Sequence, residues 1–287
     1  MRHSLSLAVG PARFRIGSDW AAPIAQLKQL YKDYPQDTGK FDDFTVRLEA
    51  NRPWRRFIRP SVHIRADYMI ADALPLALEH GLLAAEMAMN LQMALGWRRH
   101  MLLHASAVER DGRALVMTGE SGSGKSTLAA MLGERGWRLM GDEFTLIAPD
   151  SGQAFAFPRA VSLKNEAIAA MEAEVAADRF GPLLAHTPKG AIRHMRPRTD
   201  AVARMGEGAT PALILFPRYG FAREIRGLMP SETFMRLTQA STNYVALGEA
   251  GFRCLTALVG DVPALAIDYQ QGAEAVEMVE QLWAELA

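Results

Sequence analysis

The chain has 287 residues, 49% hydrophobic and 22% charged, which suffices for one large domain or two smaller ones with a sizeable core. Lys+Arg and Asp+Glu both number 32, so no global field draws the protein to nucleic acid or an anionic membrane. A single cysteine, Cys254, excludes an internal disulfide, fits a reducing compartment and reads as a small core residue within an apolar stretch.

The N-terminus has a basic start, but serines break its apolar run and Pro11 follows, so no signal peptide is expected. Leu5–Val9 and Arg13–Ile16 read as short strands about a Gly-Pro turn. Asp19 is placed to cap a helix over Ala21–Tyr34, stopped by Pro35. Phe44–Leu48 and Ser61–Arg65 alternate apolar and polar residues as half-buried strands do. Between them the window Arg47–Arg65 holds six arginines, one glutamate and no aspartate, a surface for an acidic partner or a solvated strand face. Leu76, Leu83, Met87, Leu91 and Leu95 recur at helical spacing and predict one long helix with an apolar stripe. Its stretch also carries Glu79, His80, Glu86, Asn90 and Gln92, which excludes a membrane span. The expected address is the cytoplasm, with no membrane partner. A domain boundary is placed near Trp97–Met101, giving a small α+β unit over 1–99 and a second unit over 100–287.

Beyond the boundary, Ala105–Glu109 and Ala114–Thr118 flank Asp111-Gly112, a hairpin signal. A helix over Leu128–Arg135 ends at Gly136, and Trp137–Met140 returns as a strand. Further on, helices are expected over Asn165–Ala177, from Ser231 to about Asn243, over Gly248–Val259 and over Ala273–Leu286. Strands are expected at Ala212–Phe216, closed by Pro217, and at Ala264–Asp268. Alternating strands and helices make this unit α/β.

The strongest motif sits where the second hairpin strand ends. Gly119-Glu120-Ser121-Gly122-Ser123-Gly124-Lys125-Ser126-Thr127 fits G-x-x-x-x-G-K-[ST] between a strand and a helix. Glycines let successive backbone N–H groups turn toward phosphate oxygens, and the helix start adds its positive end. Gly119, Ser121, Gly122, Ser123, Gly124, Lys125, Ser126 and Thr127 are therefore the expected nucleotide contacts, Lys125 on the β- and γ-phosphates and Ser126 on Mg²⁺. ATP and Mg²⁺ are the expected cofactors.

Asp142 and Glu143 follow 17 and 18 residues after Lys125. That leaves room for one short helix and a return strand, so the two carboxylates end near the phosphates. There one can hold Mg²⁺ and the other can accept the proton of an attacking hydroxyl. No recognition motif for nucleic acid is present, and none is expected as a partner.

Taken together, a P-loop, one helix ending in Arg135-Gly136-Trp137-Arg138-Leu139 and an acidic pair resemble the C-terminal domain of HPr kinase/phosphorylase. The likeness is carried by about residues 100–145. It implies a P-loop kinase domain of the phosphoenolpyruvate-carboxykinase-like type. It also implies Asp142 as the Mg²⁺ ligand, Glu143 as the catalytic base, and His104, 15 residues before Gly119, near the γ-phosphate. The second acid is glutamate where the family has aspartate, and the family's glycine-rich downstream segment is not recognisable. The resemblance therefore implies a kinase acting on a serine of a protein or peptide other than HPr, and it implies a homo-oligomer.

Phosphoryl transfer also needs positive charge on the equatorial oxygens. Lys164, Lys189 and Arg193, in two basic segments downstream, are the candidates for phosphate or acceptor contacts. Arg218, after a buried strand, faces either the site or a structural ion pair. Two alternatives share the nucleotide loop: a kinase of a small hydroxyl compound, and an ATP-binding sensor with little transfer activity.

Overall fold

A computed structural model describes residues 2–36, 39, 41–70 and 73–286. Its architecture is mixed α/β with four sheets. The first sheet takes β1 (His3–Val9), β2 (Ala12–Ser18), β3 (Phe44–Ala50), β4 (Ser61–Ala66) and β5 (Leu76–Ala77) in that spatial order. The β1–β2 hairpin is antiparallel, and β2 runs parallel to β3 through the crossover helix α1 (Ala21–Leu30). Asp19 does not cap that helix. Its carboxylate accepts the N–H of Ala50 at 3.1 Å, and Trp20 is the residue at the N-cap.

Helix α2 (Gly81–Gly96) starts later than its periodicity predicts, because Leu76–Ala77 joins the sheet and Leu78–His80 forms a 3₁₀ turn. The buried face also differs. Leu83 of the predicted stripe is buried along with Leu82, Ala85, Met89 and Met93, whereas Met87 and Leu95 of that stripe are exposed. The helix is apolar almost all round, so spacing alone selects no face. Two polar residues decide it: Gln92 exchanges hydrogen bonds with the Tyr68 backbone, at 2.9 and 2.8 Å, and Glu86 pairs with Arg159 inside the core.

A small second sheet joins β6 (Met101–Leu103) to β10 (Thr145–Ile147) and β11 (Ala154–Phe155). The largest sheet has six strands. It contains β7 (Ala105–Arg110) and β8 (Arg113–Thr118), the expected hairpin about Asp111-Gly112, with β9 (Arg138–Gly141) antiparallel to β7 at the edge. On the other side β8 runs parallel to β15 (Thr210–Tyr219), which runs parallel to β17 (Ala264–Tyr269); β16 (Glu224–Gly227) forms the edge. Pro217 does not close β15. The β8 pairing ends at Met117↔Leu215, so its missing N–H removes no bond on that side, and the strand continues along β17 to Tyr219. A third sheet of β12 (Val161–Lys164), β13 (Phe180–Thr187) and β14 (Gly190–Met195) lies beyond α3 (Lys125–Glu134). The remaining helices are α4 (Glu166–Glu172), α5 (Thr199–Ala203), α6 (Pro230–Ala240), α7 (Tyr244–Asp261) and α8 (Gly272–Glu285). The expected helix over Asn165–Ala177 is reduced to α4. Ser231 lies inside α6, which Pro230 starts.

The expected boundary near Trp97–Met101 coincides with the end of α2, but packing crosses it. Phe144, Leu146, Phe157 and Ala160 belong to the same buried cluster as Phe14, Val46 and Met89. Cys254 is buried, as its apolar setting predicts, and burial pushes its thiol up to about 11. No helix among the described residues is long and apolar enough to cross a membrane.

Candidate active site

Strand β8 hands the chain to the glycine-rich loop, and α3 takes it up at Lys125, three residues before the predicted helix start. Gly124 is the N-cap with φ 93°, and Gly122 has φ 87°. Such left-handed angles favour glycine and turn the backbone so that N–H groups gather at the helix start. A Cβ on Gly124 would stand 1.9 Å from the Tyr269 hydroxyl, which itself donates to Ser123 O at 3.3 Å. The close approach fixes glycine there a second time.

Lys125 folds back over the loop and donates to the carbonyls of Gly119 and Glu120, both at 2.7 Å. Burial lowers its pKa, against the opposing pull of Asp142 and Glu143. An ammonium held in this partly dry setting is available to a phosphate oxygen that replaces the carbonyls.

Strand β9 delivers Asp142 and Glu143 beside that helix start. Asp142 is buried; the Ser106 hydroxyl donates to its carbonyl at 2.8 Å, and the Ser162 N–H donates to its carboxylate at 3.0 Å. Its pKa is raised, first by burial and then by the charge of Glu143, while hydrogen bonds from Ser126 and Ser162 oppose the rise. Ser126 and Asp142 line the same cavity, a hydroxyl and a carboxylate, the hard oxygen pair that suits Mg²⁺. Glu143 is held in the opposite direction. The hydrogen bond from His104 is the main cause, followed by the charges of Arg159, His104 and Lys164, and its carboxyl is pulled down to about 2. His104 Nε2 lies 3.3 Å from Glu143 Oε2. Two adjacent carboxylates are thus driven apart, one toward protonation and one toward permanent charge.

These groups line a cavity of about 720 Å³, which takes in Lys125, Ser126, Thr127, Asp142, Glu143 and His104. Lys164 and Lys189 line it too, on β12 and on the β13–β14 turn. Arg193 does not: its guanidinium bonds Glu172 and the Gly181 carbonyl and lies over the Phe180 ring. Arg218 is paired with Asp268 and lines a second cavity on the other side of the loop.

Two contributors escape the motif reading. Arg159, buried at 4% side-chain exposure, pairs with Glu86 and donates to Asn90, and its charge reaches Glu143. Tyr31 completes the network by bonding Glu86 at 3.1 Å. Arg159 stands in the basic segment that also contains Lys164, yet only the fold reveals that α2 supplies its carboxylate. Tyr269, at the end of β17, carries no local signal for its contact with the loop.

Comparison with known proteins adds two findings. Residues 82–177, from α2 through α4, match the model of a family described as SynChlorMet cassette protein ScmC. No curated protein matches the chain. Among solved structures, the chain is similar to the Hpr(Ser) kinase/phosphatase from Coxiella burnetii, at 14% identity and a TM-score of 0.31, over 64% of this chain and 88% of that one.

Proposed function

We propose that this protein is an ATP-dependent kinase that transfers the γ-phosphoryl group to a hydroxyl acceptor, a serine of a protein or peptide. In this reading residues 100–287 are a P-loop kinase domain of the HPr-kinase type. Residues 1–99 are a supporting unit that shares its core. The observation that carries it is the gathering of Lys125, Ser126, Asp142 and Glu143 in one cavity at the start of α3, with His104 3.3 Å from Glu143. A phosphate-binding helix start, a metal-suited oxygen pair and an ionised carboxylate in one cavity are the parts phosphoryl transfer requires.

The backbone N–H groups of 119–127 cradle the phosphates, and Lys125 leaves its carbonyl partners to meet the β- and γ-oxygens. Ser126 and Asp142 would hold Mg²⁺, which when bound neutralises charge on those oxygens. Glu143 orients the acceptor hydroxyl. The hydroxyl oxygen forms its bond to the γ-phosphorus while the bond to the β,γ-bridging oxygen breaks, and that electron pair leaves on ADP. The hydroxyl proton passes to Glu143. A carboxylate with so low a pKa is a weak base, but in a loose transition state the proton departs late, once the oxygen has become acidic. Permanent ionisation is what that role needs. Lys164 and Lys189 add positive charge along the same wall.

Calorimetric titration with ATP tests the binding half of this reading. Affinity should rise on adding Mg²⁺ and fall at least tenfold in Lys125→Ala. Binding of equal strength with and without Mg²⁺ in both proteins would count against it.

A further inference from the structure

A second cavity, of about 920 Å³, opens on the far side of the glycine-rich loop. It shares His104, Ser121, Gly122 and Tyr219 with the first, so the two meet at the glycine-rich loop beside His104. Their walls differ. The first holds Lys125, Ser126 and Asp142 and continues over Leu128, Met131 and Ala170, a polar end and an apolar end that suit a nucleotide. The second holds none of those groups, and three guanidiniums line it: Arg218, Arg226 and Arg236.

Those three are not equally engaged. Arg218 is paired with Asp268 and lies over Phe221. Arg236 binds Glu232 at 2.7 Å and lies over Phe216. Arg226, on β16, stands 3.6 Å from the same Glu232, beyond hydrogen-bond reach, and its side chain is 52% exposed. Among the described residues no hydrogen bond engages its guanidinium. One carboxylate thus stands against two guanidiniums. The remaining acid on this wall, Glu120, belongs to the loop rather than to β16 or α6. A planar fork that shares its one carboxylate and makes no hydrogen bond to it, at the side of a cavity, is a receptor for a carboxylate.

We infer that the second cavity is the acceptor site, and that it takes a carboxylate-bearing hydroxyl compound whose acid is gripped by Arg226 while its hydroxyl faces His104 and Glu143. This rests on the kinase reading above and names its substrate class. The compound is either a free hydroxy acid or a serine with an acidic neighbour in a peptide. The chemistry at the phosphorus and the path of the proton are those already given.

The test uses the whole protein with γ-labelled ATP, Mg²⁺ and three probes: free L-serine, a serine peptide with aspartate beside the serine, and the same peptide with asparagine there. The aspartate peptide or L-serine should be labelled about ten- to a hundredfold more efficiently than the asparagine peptide, the range of one charge-assisted bidentate contact. Whichever of the two is labelled identifies the source. Arg226→Ala should erase the preference and Arg226→Lys should retain part of it, with affinity for ATP unchanged in both. An aspartate peptide with alanine in place of serine should bind wild type but not Arg226→Ala by calorimetry, which reads the site without turnover. Labelling of the asparagine peptide as strong as that of the better carboxylate probe, no label in either carboxylate probe, or a tenfold loss of ATP affinity in Arg226→Ala would each overturn the inference. Failure of the wild type to bind Mg²⁺–ATP would instead sink the kinase reading, and it is seen before any probe is added.

Discussion

The imidazole of His104, between β6 and β7, lies 3.3 Å from the Glu143 carboxylate, just past the end of β9. This contact, more than any other, separates Glu143 from its neighbour Asp142. Replacing His104 with alanine removes the largest cause of the lowered pKa, so the Glu143 carboxyl should titrate at higher pH. Because the folded value of about 2 lies below the ordinary 4.5, the associated stability is fully present above pH 4.5. It is lost as pH falls toward 2. In His104→Ala that acid-side loss should shrink. Carboxyl NMR of Glu143 and urea unfolding between pH 2 and 5 measure both effects.

Lys125→Met should abolish nucleotide binding yet leave the free protein at least as stable as wild type. Its ammonium is disfavoured by burial, and apolar replacements of buried charges are often neutral or stabilising. A melting temperature lowered by several degrees would show that the carbonyl contacts matter more than the desolvation.

Gly124→Ala should destabilise the loop by about 1–3 kcal/mol, from left-handed strain and the collision with Tyr269. Adding Tyr269→Leu should recover only the collision's share, since the backbone angle remains. Denaturant unfolding of Gly124→Ala, Tyr269→Leu and the double variant separates the two terms.

The Glu86–Arg159 pair is buried on both sides. Either single replacement, Glu86→Gln or Arg159→Met, should cost about 3–5 kcal/mol by stranding the other charge. A double apolar replacement should cost much less. If Arg159 acts only through packing, the Glu143 carboxyl will stay at about 2 in the double variant. If its charge matters, the Glu143 carboxyl will rise, because Arg159 is among the causes holding it down.

Much of this site was legible in the sequence because it is local. The loop, the helix after it and the acidic pair lie within 25 residues, Gly119 to Glu143, and each has a chemical signature that does not depend on distant packing. The β7–β8 hairpin was legible for the same reason. Helix α2 was not, since a segment apolar on every side leaves the choice of buried face to its partners. Arg159 and Glu86, 73 residues apart, meet only after α2 packs on the loop before β12. Arg193 looked available in a basic cluster, but the nearby Glu172 and Phe180 engage it. Pro217 seemed to end a strand because its ladder position is invisible without the register.

The measurement that bears most directly on the central claim follows label from γ-labelled ATP with Mg²⁺ into an extract of the source cells. It compares wild type with Lys125→Ala and Glu143→Gln. Transfer to a protein or peptide, lost in Lys125→Ala and reduced about 10²- to 10⁴-fold in Glu143→Gln, is the predicted result. Release of free phosphate alone, at equal rates in wild type and Glu143→Gln, would contradict it and leave a nucleotide-binding sensor in its place.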